Sequence, residues 1–214
     1  MDFLTISKGA TMKIMGLDMS TTATGWALFD GEELKDYGVL RANEKYMYER
    51  LLNMKQMIKE VFEFHKPDMV VIEEVPISGS GNLSVGKTLC TLQGITISVC
   101  DDFGISFKMV EPSHWRAKVG IHKSTYTCEK CNHSFMAKSG LKHLECSNCG
   151  NTAFSRFKKD AHNTREELKF RAVELANEMF DLDLVYKKNS RNSGDDIAES
   201  ILIGLSERKI YGDL

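Results

Sequence analysis

The stretch Ile14–Gly25, Ile-Met-Gly-Leu-Asp-Met-Ser-Thr-Thr-Ala-Thr-Gly, constrains this chain more than any other. Met12–Leu17 is a short apolar run of the kind that forms a buried strand. It ends in a carboxylate, Asp18, and a polar turn, Ser20–Thr24. Gly25–Phe29 starts a second apolar run, and Asp30-Gly31 is a hairpin turn signal. A carboxylate at the end of a buried strand is costly unless something pairs with it. A divalent cation is the usual partner; the plainer alternative is that Asp18 only caps the turn.

The chain continues with a third strand at Leu34–Leu40, so it opens with a three-stranded antiparallel meander. Tyr48, Leu51, Leu52, Lys55, Ile58 and Phe62 follow helical spacing across 44–65. Asp68–Ile72 is a compact buried strand that stops at Glu73-Glu74, before Pro76. From Asn82 to Cys100 the pattern Leu83, Leu89, Leu92, Thr96, Val99 is helical, and Gly86, Gly94 and Ser98 are expected to let that helix lie close on a sheet. Ile105–Val110 is a fifth strand and Pro112–Val119 a short helix. Helices resume at Lys159–Met179, with Leu168, Ala172, Leu175 and Met179 on one face, and at Asn192–Lys209. The order β-β-β-α-β-α-β-α, insert, α-α matches the RNase H-like arrangement. The expected fold is therefore α/β: a mixed five-stranded sheet with helices on both faces, plus a small insertion.

Two strands end in carboxylates, Asp18 and Glu73, with Glu74 as the alternative to Glu73. In open α/β sheets ligands bind at strand carboxyl ends. The last helix adds Asp196 and Glu199, three apart and so on one face, with Asp195 beside them. Carboxylates held close repel one another, and cations neutralise them. Oxygen donors select Mg²⁺ or Mn²⁺, and two such ions can activate a water and stabilise a leaving oxygen in phosphodiester cleavage. Read singly, Asp195 and Asp196 also suit a helix N-terminus, and Glu73 and Glu199 a solvated surface.

The segment between the two blocks differs. Cys128-x2-Cys131, fourteen residues, then Cys146-x2-Cys149 is the spacing of a four-thiolate zinc site. So small an insert cannot bury a core, and the metal supplies its folding energy. Cys90 and Cys100 lie in a helical pattern and are expected to be buried apolar side chains, and His133 and His143 to be loop residues. Six cysteines in a chain without an apolar leader point to metal or free thiols in a cytoplasmic protein. No run of about 18 apolar residues exists, so no membrane span is expected.

The net charge of −2 is unevenly spread. Arg116–Arg171 carries 12 Lys+Arg against 5 Asp+Glu, and the remainder 16 against 25. This asymmetry suits a polyanion held by one region and metal-binding carboxylates in the other. Around the cysteines, Lys123, Tyr126, Lys130, Phe135, Lys138 and Lys142 combine base-stacking and phosphate-binding side chains. The alternative is a ribbon that only stabilises its loop or a dimer interface.

"IMGLDMSTTATGWALFD", "MVVIEEVP" and "GDDIAESILIGL" together resemble the three acidic motifs of the RuvC-type Holliday junction resolvases. "ISFKMVEPSHWRAKVGI" resembles that family's fifth strand and the basic segment after it. The likeness covers nearly all of Met12–Leu205 except the insert. It implies a homodimeric endonuclease that cuts four-way DNA junctions with Mg²⁺. Asp18, Glu73, Asp196 and Glu199 match the catalytic carboxylates, and Arg116, Lys158 and Lys159 the basic residues near the scissile phosphate; Lys118 and Lys123 belong to the same basic stretch. The chain departs from the family at Glu199, where the family has Asp. Pro76-Ile77 stand where bacterial members place an aromatic wedge. The cysteine insert is foreign to the bacterial resolvases. These departures describe a divergent, phage- or mobile-element-like member. The expected domains are an extension at 1–11, a nuclease domain of 12–120 with 157–214, and a zinc ribbon at 121–156.

Three other readings compete. One is a nuclease for flaps, R-loops or replication forks. Another is a catalytically inactive zinc-ribbon binding protein on the same scaffold. "GLDMSTTATGWALFD" also resembles the first phosphate loop of actin-like sugar kinases, but neither a second phosphate motif nor a glycine-rich adenosine motif follows it.

Overall fold

The structure is a computed structural model that describes residues 11–75, 83–138, 144–157 and 164–211. It forms two compact units, one drawn from Met1–Glu111 with Asp196–Leu214 and the other from Pro112–Asp195.

The first unit is built on a mixed five-stranded sheet. Its strands are β1 (Lys13–Asp18), β2 (Ala23–Asp30), β3 (Glu33–Arg41), β4 (Met69–Glu73) and β5 (Ser106–Val110), in the spatial order β3-β2-β1-β4-β5. β1, β2 and β3 are antiparallel; β4 and β5 run parallel to β1. β4 carries Met69, Val70, Val71 and Ile72, all buried, the continuous apolar run expected of a strand covered on both faces.

Side-chain alternation sorts the sheet into two faces. Met15, Leu17, Trp26, Leu28, Val70 and Ile72 point to one face. There they join α1 (Met47–His65) and α2 (Leu83–Asp102) in a single core with Leu51, Met54, Ile58, Phe62, Leu92, Val99 and Cys100. The buried stripe of α1 is Leu51, Met54, Ile58 and Phe62; Tyr48 and Leu52, expected on it, are exposed. α1 stops where Lys66 turns left-handed and donates its N–H to the Phe62 carbonyl at 2.9 Å. α2 is long and apolar enough to cross a membrane by length and composition alone, a property that core helices share. Its Leu92, Val99 and Cys100 belong to the core.

The opposite face takes α5 (Asp195–Tyr211). The contact is close because glycine lines it. A Cβ on Gly16 would lie 2.2 Å from the Ser200 carbonyl oxygen, and one on Gly25 1.9 Å from that of Asp196. Gly204 in turn packs against Phe29. The glycines expected to allow close approach, Gly86 and Gly94, meet nothing within 4 Å. α5 runs antiparallel to β1, from Gly25, the register partner of Asp18, towards Glu32, whose carbonyl accepts from Arg208 at 2.5 Å. On its other flank the buried Glu207 accepts from Lys108 of β5 at 2.5 Å.

The second unit contains α3 (Pro112–Val119), a three-stranded antiparallel sheet and α4 (Arg165–Phe180). The sheet is β6 (Lys123–Cys128), β7 (Ser134–Lys138) and β8 (Phe154–Phe157), ordered β7-β6-β8, in a stretch where the sequence showed no core-like periodicity. α4 opens on a capping box between Thr164 and Glu167. Its buried face is Leu168, Ala172, Val173 and Ala176; Met179 is exposed. Arg171 donates to the Ile121 carbonyl at 2.9 Å.

Candidate active site and metal centre

Alternation and register bring the first two carboxylates together. Gly16 faces α5, so Asp18, two residues on, shares that face, as Glu73 does with Val71. β1 and β4 pair as Gly16↔Val71 and Leu17↔Ile72. Asp18 and Glu73 each follow that last rung, at the ends of strands about 5 Å apart. Both strands run in the same direction, so both carboxylates stand at carboxyl ends of the sheet.

α5 supplies the other two. The Asp196 backbone lies against Gly25, which pairs with Asp18. Glu199, three residues further, is 3% exposed; Asp18, Glu73 and Asp196 are partly exposed. The helix thus starts at the carboxylates, where its positive dipole end favours negative charge. Oxygen donors from two strand ends and a helix N-terminus form the donor set that Mg²⁺ and Mn²⁺ take. The residues present fit such an ion.

The neighbouring aspartate has a different partner. Asp195 is 6% exposed and forms an ion pair with Lys169 of α4. Burial pushes its carboxyl pKa up, but hydrogen bonds from Lys169 and Ser193 and the Lys169 charge outweigh it, and the net direction is down. The sequence offered Asp195 and Asp196 alike; the structure gives Asp195 a lysine.

Gln93 of α2, 7% exposed, donates from Nε2 to the Glu73 carbonyl at 2.7 Å. Sequence reading missed it. Its one signal was an amide on the apolar stripe, beside Leu92.

The cysteines come together as the spacing requires. The four sulfurs lie within 4.8 Å of one another, with Cys128–Cys149 and Cys131–Cys146 each at 3.6 Å. A disulfide would need about 2.05 Å. Four Zn–S bonds of about 2.3 Å in a tetrahedron put the sulfurs about 3.8 Å apart. The site fits a four-thiolate ion. The two knuckles use the same hydrogen bonds. The N–H of Cys128 donates to the His133 carbonyl and that of Cys146 to the Asn151 carbonyl, both at 2.9 Å. Asn132 and Gly150, each four residues after the first cysteine, turn left-handed and donate back to the Cys128 and Cys146 carbonyls at 2.9 and 2.8 Å. Burial opposes ionisation of Cys128, but N–H donors from Cys131 and Lys130 and the Asn151 amide bring its thiol down to about 6. Cys149 receives an N–H from Asn151, yet burial and the three neighbouring sulfurs push it up to about 12. A cation at the centre removes that competition for protons.

Beside the knuckles, Tyr126, Phe135 and Phe154 form a cluster with centroids 5.6–6.3 Å apart, Phe154 edge-on to the other two, and His133 stacks on Phe135 at 5.8 Å. Of the other cysteines, Cys100 is buried and Cys90 is exposed, correcting the expectation that both are buried.

The basic residues singled out from the sequence lie in the second unit. Arg116 stacks over the Trp115 ring at 4.8 Å, and Lys118 is exposed in the last turn of α3. Lys123 opens β6. Lys158, Lys159, Lys142, His143 and Pro76-Ile77 fall outside the described residues.

No family model matches the chain. A curated relative, the crossover junction endodeoxyribonuclease RuvC of Gloeobacter violaceus, is 28% identical over 108 residues, 47% of this chain and 60% of the relative. The RuvC of Ruegeria pomeroyi is 30% identical over 82 residues, 36% of this chain and 50% of the relative. The chain thus spans about half the length of the curated relatives it matches. Among solved structures, T. thermophilus RuvC in complex with a Holliday junction substrate superposes with a TM-score of 0.57 at 11% identity, over 94% of this chain and 96% of that one. The yeast mitochondrial Holliday junction resolvase Ydc2 does so with a TM-score of 0.51 at 11% identity, over 94% and 82%. At such identities the structures speak to the fold, and they match the mixed five-stranded RNase H-like sheet. By motif, by sequence and by fold, the chain is similar to the RuvC-type Holliday junction resolvases.

Proposed function

We propose that the chain is a metal-dependent, structure-selective DNA endonuclease that resolves four-way junctions by hydrolysing phosphodiester bonds. The observation that carries this reading is the parallel β1–β4 register, whose last rung, Leu17↔Ile72, lies one residue before Asp18 and Glu73, beside the N-terminus of α5. In this reading Asp18, Glu73, Asp196 and Glu199 hold two Mg²⁺ or Mn²⁺ ions. When bound, such a pair supplies an activated water and charge stabilisation for the leaving oxygen. The chain's own part is to fix four oxygen donors on rigid elements. Glycine contacts lock α5 against β1, so the donors need not reorganise when the scissile phosphate arrives.

Cys128, Cys131, Cys146 and Cys149 hold one structural zinc in the ribbon of 121–156, inserted into a nuclease domain of 12–120 and 157–214. Arg116, Lys118, Lys123, Lys158 and Lys159 contact DNA phosphates. The active form is a homodimer, as two symmetric cuts require, in a cytoplasmic and phage-like setting that keeps the cysteines reduced for metal. A second reading, a nuclease for flaps, R-loops or forks, draws support from the aromatic cluster beside the zinc knuckles, which suits unpaired bases. An inactive binding protein is the third.

The test uses labelled four-way, three-way, flap and linear DNAs with Mg²⁺. Four-way junctions are expected to be cut fastest, and Asp18→Asn to bind them normally while cutting more than about a hundredfold slower. Preferential cutting of flaps or forks favours the second reading. Binding without any cutting favours the third. Asp18→Asn cutting at the wild-type rate overturns the metal-site assignment.

A further inference from the structure

We propose that Gln93 is a positioning residue for Glu73, acting through the main chain from the sheet face opposite the carboxylates. The inference rests on the nuclease reading above and deepens its account of the metal site.

β4 meets β5 in a last rung in which the Glu74 N–H donates to the Val110 carbonyl at 2.8 Å. A trans peptide points its C=O opposite to its N–H, so the Glu73 carbonyl turns the other way, towards β1. β1 has ended at Asp18. The donor that a longer β1 would offer comes instead from Gln93, whose Nε2 reaches the Glu73 oxygen at 2.7 Å.

Gln93 cannot serve the site directly. It belongs to α2, which packs with α1 on the Met15–Leu17–Ile72 face, whereas Asp18, Glu73 and α5 occupy the other. It is 7% exposed, on the stripe that carries Thr96 and Cys100. A buried amide among apolar neighbours is tolerated only when it is hydrogen-bonded, and a leucine there would suit the core better. What the amide adds is a fixed end for β4, at the residue whose side chain must meet a metal ion. β4 ends at Glu73, and this bond and the Glu74–Val110 rung both hold that strand end.

Three measurements on Gln93→Leu and Gln93→Met test this: Mn²⁺ affinity without DNA, junction affinity, and kcat with KM on the DNA the unaltered chain cuts. Both variants remove the donor, and Gln93→Met keeps the length of the side chain. Each is expected to weaken Mn²⁺ binding and lower kcat by about tenfold or more, with junction affinity and KM within about twofold of wild type. If Gln93→Leu does not fold, Gln93→Met decides. A folded variant of either kind with wild-type kcat and Mn²⁺ affinity overturns the inference. If the unaltered chain cuts no branched DNA yet Gln93→Leu still loses Mn²⁺ affinity, the nuclease reading fails and this inference stands.

Discussion

A single methyl group at Gly25 would strike the Asp196 carbonyl oxygen, only 1.9 Å from where its carbon must sit. The helix start and the strand end meet there as backbone against backbone, and neither can retreat cheaply. Gly25→Ala is expected to cost about 3 kcal/mol, the upper range for overpacking, and to lower cleavage more than DNA binding. Denaturant unfolding and a cleavage assay check both parts. Gly94 is the contrasting case. It lies inside α2 with nothing within 4 Å of its would-be Cβ, so Gly94→Ala should stabilise the protein by about 0.5–1 kcal/mol. His65 gives a pH-dependent counterpart. Burial, helped by Lys13 and opposed by Asp36, holds its imidazole below the ordinary value. The folded state therefore prefers the neutral ring that packs on Trp26 at 4.8 Å. The resulting stability is present above the ordinary pKa of about 6.5 and is lost as pH falls through the lower folded value. Unfolding free energy measured across that window should decline on acidification, and by less in His65→Gln.

Among the elements, the ribbon depends most on something outside its own sequence. β6, β7 and β8 share one aromatic cluster and four sulfurs, too little burial to hold three short strands without a metal. Thiol titration reads this directly. With metal bound, Cys90 is the exposed thiol expected to react quickly, while Cys100 stays silent because burial removes it from solvent and pushes its thiol up to about 12. Stripping the metal should raise the fast count from one to five by freeing Cys128, Cys131, Cys146 and Cys149. An unchanged count would mean that the cysteines hold no ion. The ribbon also marks where sequence reading stops. The knuckles were legible because two cysteines with two residues between them can face one ion. The three strands around them were not, since residues such as Thr125, Thr127 and Ser155 carry no apolar alternation. In the main sheet β1, β2 and β4 were legible because each buries a continuous apolar run, whereas β3 and β5 bury far less. What escaped there was which glycines bear the close contact. Gly16, Gly25 and Gly204 matter because of what lies across from them, which no local pattern records.

For the whole molecule, the same contrast separates the acidic positions from the polar residues packed around them. Asp18, Glu73, Asp196 and Glu199 were singled out from strand ends and helix spacing, and the structure sets Asp18 and Glu73 at the ends of neighbouring parallel strands and Asp196 at the start of α5. Gln93 and the Lys169–Asp195 pair depend on tertiary packing and left only the faint trace of polar residues in apolar stripes. If the ribbon grips branched DNA, replacing Cys128 and Cys131 with Ser should weaken junction binding by about tenfold or more while leaving Mn²⁺ affinity at the carboxylates unchanged. Equal binding and cutting by that variant would assign the ribbon to stability alone. The central claim is that carboxylates remote in sequence gather at one edge of the sheet to hold divalent ions. Anomalous diffraction from a crystal soaked in Mn²⁺ tests it most directly. Manganese peaks between Asp18, Glu73 and Asp196, lost in Asp18→Asn, are the expected result. Manganese bound elsewhere, with those three side chains turned away from one another, would contradict it.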